Sequence, residues 1–304
     1  MNKAIQDYLA DLLPLCNKEG LQLSDEREIA YGVQLTFTDG KNNILLNVYY
    51  SEKKGISAVI GSKFDNPLKP VLQKCLNIPS VIKALPFHNW RCWLGSDECG
   101  KGDYFGPLVV CGFYLEEIDK KKLWRMGVSD SKKLSGEQIN YVAKQLYHDY
   151  AANVECLVLK PKKYNELYAS FTAQKKNLND LLAWGHALVL DNLLKRFPSA
   201  EGVLIDQFSS SRKASVLLQA KYPKLQIMER TNAEQDFAVA AASIIARYQL
   251  LQSIKAMERF YKMKFPLGAG QIVQAVAKEF IEKYGAERLS EVAKLHFKNT
   301  KNLS

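Results

Sequence analysis

Between Trp93 and Leu115 two apolar runs flank an acid pair and a glycine-broken turn, and few backbones can carry that arrangement. Trp93-Leu94 leads into Gly95-Ser96-Asp97-Glu98-Cys99-Gly100-Lys101-Gly102-Asp103-Tyr104-Phe105-Gly106-Pro107, and an apolar run from Leu108 to Leu115 follows. The pattern reads as strand, irregular turn, strand. On a regular strand Asp97 and Glu98 face opposite sides. If both serve one site, the backbone is expected to leave the strand at Glu98, with Gly100 and Gly102 supplying the freedom. Paired carboxylates hold divalent cations, and a Gly-Lys-Gly turn can bring N–H groups and an ammonium against a phosphate. Metal and phosphate in one turn point to phosphodiester chemistry. Taken alone, the acid pair reads equally as a solvated turn.

The basic balance agrees with a polyanionic partner. Lys and Arg number 42 against 32 Asp and Glu, a formal charge of +10, and the excess lies mainly beyond residue 90. Hydrophobic content of 47% and charged content of 24% exclude gross disorder. The six cysteines are scattered without a CxxC pair or zinc-like spacing, so free thiols in a reducing cytoplasm are expected. No signal-peptide layout or apolar run near ~18 residues is visible, so no membrane association is expected.

The length of 304 residues suits one large domain or two unequal ones. The reading is a small α+β domain over residues 1–80, a linker over 81–91 with Pro86, and a larger α/β domain over 92–304. The small domain is expected to hold a helix over 1–19, strands over 31–37, 44–50 and 56–60, and a second helix over 67–76. It shows no catalytic constellation.

In the larger part, Lys120-Lys121-Lys122 and Arg125 lead to Asp130-Ser131-Lys132-Lys133-Leu134-Ser135, and Ser135 starts a capped helix to about Tyr150. A strand over 154–159 and a long helix over 178–197 follow, with His186 read as a packing or surface residue. The run Gly202-Val203-Leu204-Ile205-Asp206 is a strand buried on both faces. A carboxylate at its end is costly unless it holds a cation. Residues 231–261 read as one helix with acids in its first turn, then alanines that let it lie close to a sheet. Helices over 271–284 and 289–298 close the chain, and His296 is left open between a surface and a phosphate-contacting role.

The string from Gly95 to Pro107 resembles the first motif of the type 2 and type 3 ribonucleases H. Asp130-Ser131-Lys132-Lys133-Leu134 resembles a second block of that family, and the segment ending Ala242-Ser243-Ile244-Ile245-Ala246-Arg247 a third. By motif the likeness covers residues 93–300. Over 1–90 it rests on size and pattern, which are compatible with a TATA-box-binding-protein-like domain that grips the hybrid duplex in the ribonuclease HIII branch. The resemblance implies a ribonuclease H-like domain, a central mixed sheet flanked by helices. It implies Asp97, Glu98, Asp206 and a fourth acid as catalytic metal ligands, with Asp97 between the metals. In type 2 enzymes the fourth acid stands in a Lys-Ala-Asp triplet. Here that region reads Asn232-Ala233-Glu234, with Asp236 two residues on. Asp236 is taken as the ligand and Glu234 as the alternative. Gly100, Lys101, Gly102, Ser131, Lys132 and Lys133 are the implied substrate contacts, and Gly-Lys-Gly fits type 3 better than the Gly-Arg-Gly common in type 2.

Four carboxylates without a Ser-His or Cys-His arrangement argue against covalent catalysis. Oxygen ligands favour Mg²⁺ or Mn²⁺ over zinc, and two ions roughly 4 Å apart can activate water and stabilise the leaving oxygen. Preference for RNA must rest on the 2′-hydroxyl. The expected protein is a monomeric endonuclease of the ribonuclease HIII type cutting the RNA strand of RNA–DNA hybrids. Cleavage at single embedded ribonucleotides, as by ribonuclease HII, is one alternative. A catalytically silent hybrid-binding protein is another.

Overall fold

The structure is a computed structural model that describes residues 2–51, 55–61, 66–76, 87–129 and 131–303. The chain divides into two compact units, Met1–Pro86 and Phe87–Ser304. The expected linker lies outside the described residues up to residue 86. His88 and Trp90, by contrast, are buried in the second unit, their rings stacked with centroids 4.1 Å apart.

In the first unit α1 (Lys3–Lys18) and α2 (Lys69–Leu76) cover an antiparallel sheet of β1 (Gln22–Ile29), β2 (Gly32–Thr38), β3 (Asn43–Ser51) and β4 (Gly55–Ile60). Val33, Leu35 and Phe37 alternate on β2, and the register sets them opposite Val48, Leu46 and Ile44 of β3. This makes one apolar face, buried against Ile5, Leu9 and Leu12 of α1 and Leu72 of α2. Strand β1 was not expected. Its sequence Gln-Leu-Ser-Asp-Glu-Arg-Glu-Ile lacks apolar alternation, and its side chains are almost all exposed. It is an edge strand defined by its ladder to β2, not by burial.

The second unit is built on a five-stranded mixed sheet ordered β7-β6-β5-β8-β9, with β5 (Cys92–Cys99), β6 (Leu108–Glu116), β7 (Val154–Leu159), β8 (Gly202–Asp206) and β9 (Gln226–Arg230). Strand β5 is antiparallel to β6 and parallel to β8. One face carries α8 (Phe237–Tyr261) and α4 (Gly136–Tyr150). The other carries α5 (Pro161–Ala173), α6 (Leu178–Arg196) and α7 (Lys213–Lys221). Ser135 and Gln138 close a reciprocal cap at the start of α4, as their spacing suggests. The short α3 (Lys120–Arg125) precedes α4, and α9 (Gln271–Tyr284) follows α8. Among the described residues α8 is the one helix apolar and long enough to cross a membrane, and 61% of its most apolar window is buried in this unit.

Four expectations change. Strand β5 runs in register through Cys99 opposite Val109, so the backbone does not leave the strand at Glu98. It turns at Gly100, whose φ is +90° and where a Cβ would lie 2.3 Å from the Pro107 carbonyl oxygen. Helix α8 begins at Phe237, not near Thr231, because a 3-10 turn over Ala233–Gln235 precedes it. The segment expected as a helix over 289–298 is a 3-10 stretch, Ala286–Glu291, followed by turns in which Ala293 bridges to Phe105, and then the short α10 (Lys298–Lys301). Finally, Cys111 and Cys156 stand opposite each other on β6 and β7 and form a disulfide. Free thiols are Cys16, Cys75, Cys92 and Cys99.

Candidate active site

The parallel register pairs Ser96 of β5 with Ile205 of β8, and continuing it by one residue sets Asp97 beside Asp206. Alternation turns both toward the α8 face, since Leu204 packs there and Ile205 on the other. Helix α8 approaches β5 closely because Gly95 has no side chain. A Cβ there would lie 2.3 Å from the Val239 nitrogen and 2.8 Å from the Ala238 Cβ. The close approach brings Ser243, further along α8, near Asp97, where it favours the ionised carboxylate.

Asp97 is 9% exposed and accepts the Glu98 N–H at 2.7 Å. Burial pushes its pKa up to about 8, helped by the charges of Glu98 and Asp206 and opposed by the Ser243 hydrogen bond. Asp206 accepts the Ala233 N–H at 2.9 Å. Burial raises its pKa to about 6; the Ala233 bond and Lys132 lower it, while Glu234 and Glu98 add to the rise. Both acids hold their protons well above the ordinary carboxylate range, in surroundings short of positive charge.

Glu98 reaches the group from the other face of β5. Its Oε2 lies 3.2 Å from His186 Nε2, and its Oε1 lies 4.0 Å from Lys101 Nζ. The extra methylene of Glu over Asp gives the reach that the opposite face demands. Lys101 also donates to the Phe208 carbonyl at 3.2 Å, bridging the turn to the segment after β8. Space is open around Gly102.

Of the second block, Ser131 is buried, its hydroxyl 2.8 Å from that of Ser243 and its carbonyl accepting Arg247 Nη1 at 2.6 Å. It braces the α8 serine that lies near Asp97. Lys132 is exposed and donates to Glu234 at 3.2 Å, which raises its pKa. Asp130 and the Lys133 side chain lie outside the described residues.

Asp236, expected as the fourth acid, is committed elsewhere. It is the N-cap of α8, one oxygen accepting from Ala238 N, Val239 N and Trp93 Nε1 at 2.9, 3.3 and 3.0 Å. The other oxygen lies 3.4 Å from His88 Nε2. Trp93 stands at the far end of β5 from Asp97, so this carboxylate caps the helix and does not join the group. Glu234 does join it, through its charge on Asp206 and its bond to Lys132. The reason is local: the 3-10 turn before α8 carries residue 234 past the end of β8, and the cap position falls at 236.

Three participants went unread in the sequence. Ser243 was seen only as part of an alanine-rich run. The His88–Trp93–Asp236 contact joins segments too far apart to suggest it. His186 offered a signal: its helical neighbours Leu182, Ala183, Val189 and Leu190 are all apolar and buried, and a polar ring in such a stripe must find partners. His296, by contrast, packs among Tyr164, Tyr168 and Phe297.

Asp97, Glu98, Asp206 and Glu234 make an oxygen-only donor set suited to a hard divalent cation. Among the described residues no three such groups are closed into ligating geometry. The raised proton affinities of Asp97 and Asp206 are what a bound cation would relieve.

A family model for ribonuclease HII matches residues 94–300. The chain is 43% identical over 210 residues to the ribonuclease HIII of Chlamydia abortus, covering 67% of each chain. It is 41% identical over 228 residues to that of Chlamydia trachomatis, covering 72% of this chain and 73% of the relative. Its fold is similar to the solved structure of Bst-RNase HIII in complex with Mn²⁺, with a TM-score of 0.63 at 26% identity, covering 99% of this chain and 96% of that one. A TM-score of 0.54 relates it to Aquifex aeolicus RNase H3, again at 26% identity, over 96% and 94% of the two chains.

Proposed function

Because this chain belongs to the ribonuclease HII family, we propose that it is a type 3 ribonuclease H, hydrolysing the RNA strand of RNA–DNA hybrids endonucleolytically. The observation that carries the reading is the pairing of Asp97 and Asp206 at adjacent strand ends, with Glu98 and Glu234 completing an oxygen-only cluster. Type 3 is favoured over type 2 by the Gly100-Lys101-Gly102 turn and by likeness to a ribonuclease HIII over nearly the whole chain. The smaller unit, proposed over residues 1–80, would then grip the hybrid.

The structure that this fold resembles was solved with Mn²⁺, and the residues present suit Mn²⁺ or Mg²⁺. Asp97, Glu98, Asp206 and Glu234 would hold the metal, two ions in the full site. When bound, such ions supply charge to the attacked phosphate and lower the pKa of a water. The chain itself supplies position. The Glu98 N–H fixes Asp97, the Ala233 N–H fixes Asp206, and Lys132 holds Glu234. The N–H groups of the Gly100–Gly102 turn are the proposed readers of the 2′-hydroxyl.

End-labelled duplexes test the reading, incubated with Mg²⁺ or Mn²⁺ and with Asp97→Asn as control. Cutting of a continuous RNA–DNA hybrid and not of DNA with one ribonucleotide, lost in the control, is the expected result. Efficient cutting at the single ribonucleotide would move the specificity to type 2. Tight binding without cutting under either metal would leave a hybrid-binding protein in place of an enzyme.

A further inference from the structure

Glu98 differs from the other acids of the cluster in how it arrives. Asp97 and Asp206 are held by short side chains at strand ends, whereas Glu98 comes round β5 from the opposite face. A longer chain with free rotors loses more entropy when fixed, so something must hold it. On that face stands His186 of α6, fully buried, with both ring nitrogens engaged. Nδ1 lies 2.9 Å from Ser96 Oγ and Nε2 lies 3.2 Å from Glu98 Oε2. Ser96 and Glu98 are i and i+2 on one strand, so a single imidazole spans two successive side chains of the same face. Phe208 then closes over the ring, stacked at 5.0 Å and 11°.

We infer that His186 is a positioning residue that fixes Glu98 for metal capture, with Ser96 and Phe208 fixing His186 in turn. The inference rests on the metal-dependent reading above and extends it to a residue that touches neither metal nor substrate. One oxygen of Glu98 is tethered by the ring, and the other is left on the side of Lys101. Wherever Glu98 binds a cation as a carboxylate it can only accept from the ring, so Nε2 is then the donor of that bond. Partners of this kind set the orientation of metal ligands. Because Phe208 follows β8, the same ring also ties the segment after Asp206 to the tether of Glu98.

The test is Mn²⁺ binding to substrate-free protein, read by the loss of the free-ion paramagnetic resonance signal. It compares wild type, His186→Ala, His186→Gln, Glu98→Gln and the double variant His186→Ala/Glu98→Gln. His186→Ala is expected to weaken Mn²⁺ binding by about 10–100-fold. His186→Gln, whose amide can still donate to Glu98, is expected to recover most of it. In the Glu98→Gln background, removing His186 is expected to add little. Unchanged Mn²⁺ binding in folded His186→Ala would overturn the inference. So would an equal loss with and without Glu98, which would mark a general packing effect. If the alanine variant does not fold, His186→Leu fills the space without a donor and carries the same expectations. Wild-type protein that binds no Mn²⁺ would instead overturn the metal-dependent reading itself, and this inference with it.

Discussion

The Lys132 ammonium lies 3.2 Å from Glu234 Oε1, a link between the block before α4 and the turn before α8. The charge of Glu234 also acts on Asp206. Asp236, two residues later, spends its oxygens on the start of α8, on Trp93 and on His88. The two acids should therefore fail in different ways.

Glu234→Gln is predicted to lower kcat about a hundredfold, the scale of a few kcal/mol of lost charge stabilisation, with little change in melting. Asp236→Ala is predicted to lose roughly 1–3 kcal/mol of stability, from the missing cap and the unpaired Trp93 N–H. Its rate per folded molecule should stay within about threefold of wild type. Urea denaturation beside steady-state cleavage separates the two. A dead but fully stable Asp236→Ala would return that residue to the site.

Asp97→Asn keeps the shape of the side chain and removes the charge at the centre of the cluster. Cleavage should fall by about a thousandfold or more. Without metal, the variant should melt above wild type at alkaline pH, because wild type must then carry a buried charge beside Glu98. Paired melting curves with and without Mn²⁺ check this. A variant that melts lower in the absence of metal would contradict it.

The pH dependence follows from the two raised carboxyls. Metal binds the ionised acids, so protons on Asp97 (about 8) and Asp206 (about 6) compete with it. Apparent Mn²⁺ affinity should rise about tenfold per pH unit between about 6 and about 8, more steeply below, and flatten above. For the metal-free fold the sign is the reverse. Folded-state pKa values above the unfolded ones give stability that is full at low pH and is lost as pH rises through about 6 and then about 8. Calorimetric titrations in buffers of different ionisation enthalpy would count the protons released. No release at pH 7 would contradict both statements.

The Cys111–Cys156 bridge joins residues 45 apart. Opening it should lower stability by about 2–4 kcal/mol and leave the acid cluster in place. Titration of unreduced, denatured protein should count the thiols of Cys16, Cys75, Cys92 and Cys99 alone. A count of all six would show the pair unformed.

Much of this was legible before any coordinates. The strand–turn–strand around Asp97, the buried strand ending at Asp206 and the alanine face of α8 each announced themselves by period or composition. Failures came where structure rests on something other than an apolar pattern. Strand β1 buries almost nothing, so no alternation marks it. Glu234 and Asp236 differ by two residues, and only the position of the helix start decides which one caps and which one reaches the strand ends. His186 looked like core because it is core, and its partners come from β5, about ninety residues earlier in the chain.

Gly95 gives the site its depth by what it lacks. The backbone of α8 occupies the volume a side chain at 95 would fill, and that close approach sets Ser243 near Asp97. Positions 95 and 238 are therefore not free to drift one at a time. A methyl gained at 95 has no single compensating change, since the nearest atom it meets is the main-chain nitrogen of Val239. Along any lineage that keeps the chemistry, a residue with no chemistry of its own should change as rarely as the acid two places after it.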